Sequence, residues 1–262
     1  DNNIKPNQLF NLIYTSGSTG KPRGVMIEQR GVTNLIHWFT RQYNITHRDI
    51  FMMLTECTFD PSVEDIFGAL TNGATLVIPE KDVCLDSNKF GEVVNTHKVT
   101  ILNFVPLMLN ELLTNNNPLP SIRIIISGGE KLPEKVKNNL LSLGYDLYNN
   151  YGPTEITVDA LTDHCSMDKP VTLGKPVAHT QCYILDKYLN PLPLGLVGEL
   201  FISGQGLARG YWRDPDLTKE KFIAHPLDKD PSSRLYRTGD LVRYTGCGTI
   251  EFIERMDFQV KI

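Results

Sequence analysis

No two cysteines of this sequence stand three positions apart, and the five present (Cys57, Cys84, Cys165, Cys182, Cys247) are scattered. That pattern argues against zinc and against a disulfide framework. It fits free thiols in a reducing compartment, so a cytoplasmic setting is expected. Long apolar runs are also lacking, and the polar start Asp1-Asn-Asn3 is no signal peptide, so no membrane partner is expected. Neither sign of charge dominates. Lys and Arg total 26 against 30 Asp and Glu, a net charge of -4, which gives no broad attraction to nucleic acid or anionic lipid. Repeats and low-complexity tracts are missing too, and 262 residues leave room for two modest domains or one large one.

What is present first is an alternation of strand and helix over residues 1–170. Val32, Leu35, Ile36 and Phe39 fall on one helical face. Ile50 to Leu54, Ala74 to Ile78, Ile101 to Phe104 and the β-branched run Ile122 to Ile126 read as buried strands. Val63 to Leu70, Phe90 to Val94, Pro106 to Leu113 and Pro133 to Leu143 read as the helices between them, the last ended by Gly144. Asp146 to Asn149 reads as the last strand. The expected fold is α/β, a parallel sheet layered with helices. From about Val171 short apolar segments recur between Gly and Pro turns (Gln181 to Leu185, Gly198 to Ile202, Leu241 to Tyr244, Thr249 to Ile253). They predict a small antiparallel β subdomain over 171–254, barrel-like or a sandwich. The sequence stops inside an apparent strand, Gln259-Val-Lys-Ile262, and reads as a fragment of a larger domain.

The stretch Tyr14-Thr-Ser-Gly-Ser-Thr-Gly-Lys-Pro-Arg-Gly24 follows a short strand, Leu9 to Tyr14. It gathers the hydroxyls of Thr15, Ser16, Ser18 and Thr19, the flexible Gly17, Gly20 and Gly24, and the cations Lys21 and Arg23. Backbone N–H groups that turn inward, hydroxyl donors and cations suit a polyphosphate. It is not a Walker loop, since Pro22 follows Lys21. Asp60 of Phe59-Asp-Pro-Ser62 precedes a helix and, on its own residues, reads as an N-terminal cap. Ser127-Gly-Gly-Glu130 follows a buried strand, where α/β sheets bind ligands, although a plain strand-to-helix turn would look the same. In Asn149-Asn-Tyr-Gly-Pro-Thr-Glu155, Tyr151 suits a base, Thr154 a phosphate and Glu155 a magnesium ion. Asp240, after the expected tight turn of Tyr236-Arg-Thr-Gly-Asp240, suits the paired hydroxyls of a ribose. Gly204-Gln-Gly-Leu-Ala-Arg-Gly-Tyr211 lacks a following helix and reads as structural.

The order YTSGSTGKPRG, FDPS, NNYGPTE, GELFISGQGLARGYW, YRTGDL, ERMDFQVKI resembles the adenylation domain of nonribosomal peptide synthetases. These belong to the adenylate-forming enzymes, with acyl-CoA synthetases and luciferase. The resemblance covers nearly the whole chain. It implies a flavodoxin-like sheet and a β-barrel-like subdomain, together a fragment of the family's large N-terminal domain. It also implies activation of an α-amino acid with ATP and Mg2+, then transfer to the phosphopantetheine thiol of a peptidyl carrier protein beside neighbouring synthetase domains. By resemblance Thr15, Ser16, Gly17, Ser18, Thr19, Gly20 and Lys21 hold the β- and γ-phosphates. Tyr151 stacks on adenine, with Asn149 near its amino edge and Gly129 and Glu130 on the other side; Asn150 and Gly152 also bind the nucleotide. Thr154 and Glu155 are catalytic, Thr154 at the α-phosphate and Glu155 as metal ligand. Asp240 and Arg255 bind the ribose.

The resemblance also re-reads Asp60 as the partner of the substrate α-ammonium, which overrides the capping role. Its neighbours in the side-chain pocket are Pro61, Glu64, Asn103, Ile126, Gly128, Asn150, Val158 and Asp159. Two acids and two amides in that lining point to a polar or cationic side chain (ornithine, lysine, arginine or glutamine) and away from leucine, phenylalanine and valine. Segment 255–262 is the hinge, with Asp257 at its pivot, leading to a C-terminal domain whose catalytic lysine the sequence lacks; weak activity of the fragment alone is expected. Glu254 and Arg23 depart from the family's usual glycine and lysine. Two other readings stand beside this one: an acyl-CoA or aryl-acid ligase, and a non-catalytic nucleotide-binding or docking module.

Overall fold

The computed structural model describes residues 3–16, 22–115 and 118–256. Its strands are β1 Leu9–Ser16, β2 Pro22–Glu28, β3 Ile50–Met52, β4 Thr75–Val77, β5 Ile101–Phe104, β6 Ile124–Ser127 and β7 Leu147–Tyr151. They continue as β8 Leu161–His164, β9 Lys175–Pro176, β10 Thr180–Leu185, β11 Gly198–Gly204, β12 Phe222–Ala224, β13 Arg234–Tyr244 and β14 Ile250–Arg255. The helices are α1 Gln29–Gln42, α2 Ser62–Leu70, α3 Ser87–His97, α4 Pro106–Thr114, α5 Glu134–Ser142 and α6 Pro215–Lys221. Two compact units result. One holds Ile36–Tyr151 and Thr162–Val171; the other holds Asp1–Leu35, Gly152–Leu161 and Thr172–Ile262. The first and last segments of the strand-helix alternation therefore pack with the later strands.

In the α/β unit the strands run in the order β4-β3-β5-β6-β7, each neighbouring pair parallel. Counted from β3, that is the 2-1-3-4-5 order of flavodoxin, so the expected fold is observed. Every residue of β6 is buried, as expected of a central strand in a parallel sheet. Leu102, Ile125 and Leu147 of the sheet meet Val94, Leu109 and Leu140 of α3, α4 and α5 in one apolar core. A Ser, Asn, Lys start does not mark α3; Asp86 does, its side chain accepting from the N–H groups of Asn88 and Lys89. Gly144, at φ +86°, follows α5 as the sequence predicts. One expectation needs correction. The strand ending at Tyr151 is not the last of the sheet, for β8 lies beyond it. Leu161-Thr-Asp-His164 carries a single aliphatic residue, too little apolar pattern to announce a strand.

The β-rich unit holds the β1–β2 hairpin and an antiparallel sheet in the order β10-β11-β13-β12, with β14 on β13. Leu185, Phe201 and Leu235 form a core cluster of this sheet. The expected turn at Tyr236–Asp240 proves to be a bulge inside one long strand. Arg237 faces Phe201 and Leu241 faces Glu199, so β13 carries extra residues where Gly239 adopts φ +76°.

Among the described residues no helix is long and apolar enough to cross a membrane. None of the five cysteines is paired; burial lifts the Cys165 and Cys182 thiols to about 12, which keeps them protonated.

Candidate functional site

The α/β unit brings its motif residues to the carboxyl ends of parallel strands, where such sheets hold ligands. Asn103 is the next-to-last residue of β5, Ile126 holds the same place in β6 with Gly128 just beyond the strand, and Asn149 leads to Tyr151 at the end of β7. Ser127 is paired with Asn149, which sets the two strand ends in register. Gly129 sits at φ +80°, a left-handed conformation that favours glycine and turns the chain toward Glu130.

Strand alternation divides the two asparagines of β7. Asn149 shares a face with Tyr151, and Asn150 points the other way. There Asn150 Oδ1 accepts from Tyr43 Oη at 2.9 Å and from Thr162 Oγ1 at 2.8 Å. Tyr43 is itself held edge-on by Phe39 and Tyr148, at 4.8 and 5.0 Å between ring centroids. The sequence reading missed Tyr43, whose only mark was a Tyr at the end of an amphipathic helix.

Asp60 and Pro61 are half-buried just before α2. Pro61 occupies the cap position, and its own side chain makes no capping hydrogen bond. In the first turn Glu64 and Asp65 are both 1% exposed. Glu64 Oε2 accepts from Asn103 Nδ2 at 2.9 Å. Asp65, which the sequence reading passed over, has neither carboxyl oxygen hydrogen-bonded at normal distance. Burial drives its pKa well above the usual carboxylate range, and the nearby Asn103 amide offsets only part of that.

The β-rich unit holds the remaining motif residues that the structure describes. Thr154–Ile156 form one 3-10 turn, in which Glu155 is buried. The chain leaves it through two consecutive left-handed residues, Thr157 (φ +60°) and the β-branched Val158 (φ +69°). Strain of this kind costs on the order of 1–3 kcal/mol per residue and persists only where neighbours enforce it. They do here. Thr157 Oγ1 donates to the Gly206 carbonyl at 2.6 Å. A Cβ on Gly152 would lie 1.9 Å from the Val158 carbonyl oxygen, so only glycine fits. Val158 and Asp159 are buried beside this turn. Glu155 Oε1 accepts from Tyr211 Oη at 2.5 Å.

Asp240, 4% exposed, lies opposite Arg255 in the β13–β14 ladder, and Arg255 Nη1 donates to its Oδ1 at 2.7 Å. The bulge at Gly239 aims this carboxylate, and the Asp240 N–H is held by Thr238 Oγ1 at 3.0 Å.

At the ends of the Gly- and Ser-rich loop, Thr15 pairs with Arg23 and Ser16 with Pro22, which joins the two stems of the hairpin. Gly17, Ser18, Thr19, Gly20, Lys21 and the expected hinge residue Asp257 lie outside the described residues. Among the described residues no cluster of three His, Cys, Asp or Glu could form a dedicated metal cage. One buried carboxylate, Glu155, fits a different kind of metal. Mg2+ takes one or two protein carboxylates and fills the rest of its octahedron with phosphate oxygens and water. A cavity of about 440 Å3 in the β-rich unit, lined by Lys5, Arg30, Thr33, Asn34, His179 and Gln205 among others, contains none of the expected nucleotide- or substrate-binding residues.

The family model for AMP-binding enzymes matches residues 1–212. The chain belongs to the AMP-binding enzyme family. Its motif order pointed there, and the relatives agree. This AMP-binding chain is 42% identical to tyrocidine synthase 2 of Brevibacillus parabrevis over 264 residues, covering 98% of the chain and 7% of that protein. It is 40% identical to malpinin synthetase of Mortierella alpina over 257 residues, covering 97% of the chain and 3% of that protein. Among solved structures it is similar to the nonribosomal peptide synthetase FmoA3 bound to alpha-methyl-L-serine-AMP. The TM-score is 0.88 at 33% identity, with 97% of this chain and 29% of that one covered. The chain thus spans a small fraction of the length of the proteins it matches.

Proposed function

We propose that this AMP-binding chain serves ATP-dependent activation of an α-amino acid as its aminoacyl-AMP. The product would load the phosphopantetheine thiol of a peptidyl carrier protein, beside neighbouring synthetase domains in the cytoplasm. One observation carries the reading. Gly128, Gly129, Glu130, Asn149 and Tyr151 gather at the carboxyl ends of a 2-1-3-4-5 parallel sheet, on a chain whose family binds AMP.

The division of labour follows. Tyr151 stacks on adenine, with Asn149 at its amino edge. Asp240 and Arg255 hold the ribose hydroxyls. Thr154 donates to the α-phosphate, while the Thr15 to Gly24 loop, Lys21 included, holds the β- and γ-phosphates. Asp60 accepts from the substrate α-ammonium, a charge-assisted pair that demands an α-amino acid. A substrate carboxylate oxygen attacks the α-phosphorus as the bond to the pyrophosphate oxygen breaks. When bound, Mg2+ supplies positive charge to the phosphates during that displacement; Glu155 would hold it.

Mass spectrometry of the full-length protein with ATP and paired substrates tests the amino-acid requirement. The expected product is an adenylate of an α-amino acid and none of its des-amino analogue. An adenylate formed only from the des-amino acid would replace this reading with an acyl or aryl ligase.

A further inference from the structure

The segment Gly204 to Tyr211 reads in the sequence as structural, yet its bonds converge on the turn that carries Glu155. The Ala208 N–H donates to the Glu155 carbonyl at 2.8 Å. Gly206 accepts from Thr157 Oγ1, and a Cβ there would come within 2.4 Å of the Ile156 carbonyl oxygen. Tyr211 Oη completes the set by donating to Glu155 Oε1 at 2.5 Å. The phenol has little freedom to do anything else. Tyr211 is 3% exposed, its backbone N–H donates to Thr218 Oγ1 at 2.9 Å, and its ring packs on Phe222 at 5.7 Å. Tyr236, 6% exposed, packs on the same Phe222 at 5.2 Å, and its hydroxyl reaches the Tyr211–Glu155 pair.

The same loop is also stitched to β2, the strand that leaves the phosphate loop. Val25 bridges to Tyr211, the Met26 N–H donates to the Gly210 carbonyl at 2.9 Å, and the Trp212 N–H donates to the Gly24 carbonyl at 2.7 Å. One short loop thus fixes both the exit of the phosphate loop and the Glu155 carboxylate.

We propose that Tyr211 is a positioning residue for Glu155, holding one carboxylate oxygen so that the group is oriented to accept a nucleotide-bound divalent cation. A carboxylate has about four lone-pair sites, so a phenol on one of them fixes its rotation and leaves acceptor capacity for a metal. Groups that orient a metal ligand in this way typically change metal affinity about 10- to 100-fold when removed. The proposal rests on the metal-ligand role of Glu155 given above.

The test uses the full-length protein as wild type, Tyr211→Phe and Glu155→Gln. Mn2+ binding is read by EPR at saturating ATP, ATP binding in EDTA by calorimetry, and folding by thermal midpoint. Tyr211→Phe is expected to weaken Mn2+ binding about tenfold while ATP affinity in EDTA stays within about twofold. Glu155→Gln is expected to weaken Mn2+ binding at least as much. Unchanged Mn2+ affinity in Tyr211→Phe alongside a loss in Glu155→Gln overturns the positioning role alone. Unchanged affinity in Glu155→Gln overturns the metal assignment, and the proposal with it. Should Tyr211→Phe fail to fold, fluorotyrosine in place of Tyr211, which alters the donor and little else, carries the test: changed Mn2+ binding at unchanged metal-free ATP affinity supports the proposal, and unchanged Mn2+ binding overturns it.

Discussion

Glu64 and Asn103, 39 positions apart, are joined inside the α/β unit by a hydrogen bond of 2.9 Å from Nδ2 to Oε2. A neutral amide offsets less of a buried carboxylate's charge than a cation would. On the proposed function, a cationic substrate side chain adds that charge. Glu64→Gln is therefore expected to lower the activation of a cationic amino acid relative to glutamine about tenfold, or about 1.4 kcal/mol. The ratio of kcat/KM values for the two substrates checks it.

Asp65 makes a separate prediction about pH. Its unfolded value is near 3.8 and burial raises the folded one. Below the unfolded value both states are protonated and no penalty arises. As pH climbs past it the unfolded chain loses a proton that the folded chain keeps, so stability falls until the folded value is passed. Asp65→Asn is expected to raise the urea midpoint at about pH 7 and leave it nearly unchanged at about pH 3.5. An equal effect at both would show that the carboxyl does not titrate in this way.

Arg255 and Asp240 pair at 2.7 Å in the β-rich unit. If they hold the ribose, Arg255→Ala should weaken ATP binding about tenfold, the loss of about one charge-assisted hydrogen bond. The same variant should bind inorganic pyrophosphate as the wild type does. Calorimetry with both ligands separates a ribose role from a general loss of the site.

Gly152 has no room for a side chain, with the Val158 carbonyl oxygen 1.9 Å from its would-be Cβ. Gly152→Ala is expected to destabilise the protein by on the order of 3 kcal/mol in urea unfolding, since the neighbour is backbone and cannot rotate away.

Much of this was legible in the sequence. β5 has the bounds that the run Ile101 to Phe104 announces. The period of Val32, Leu35, Ile36 and Phe39 gives the buried face of α1, to which the structure adds Trp38. These are local signals, and local signals survive folding. Other features were not legible, each for a physical reason. β8 lacks an apolar pattern, and α6 buries none of its residues, so neither had a period to read. Asp65 sits beside another acid, Glu64, and nothing local tells a buried carboxylate from an exposed one. Tyr211 and Glu155 are 56 positions apart and meet only through the tertiary fold. Tyr236-Arg-Thr-Gly-Asp240 carries the Gly and Asp of a tight turn, but its partner strand, β11, decides that Gly239 forms a bulge instead.

Amino-acid-dependent exchange of labelled pyrophosphate into ATP by the full-length protein reads the proposed activity itself. Exchange is expected to require an α-amino acid and to be strongest for ornithine, lysine, arginine or glutamine, with leucine, phenylalanine and valine well below. No exchange with any amino acid would contradict the proposed activity; clear preference for leucine or phenylalanine would contradict the pocket.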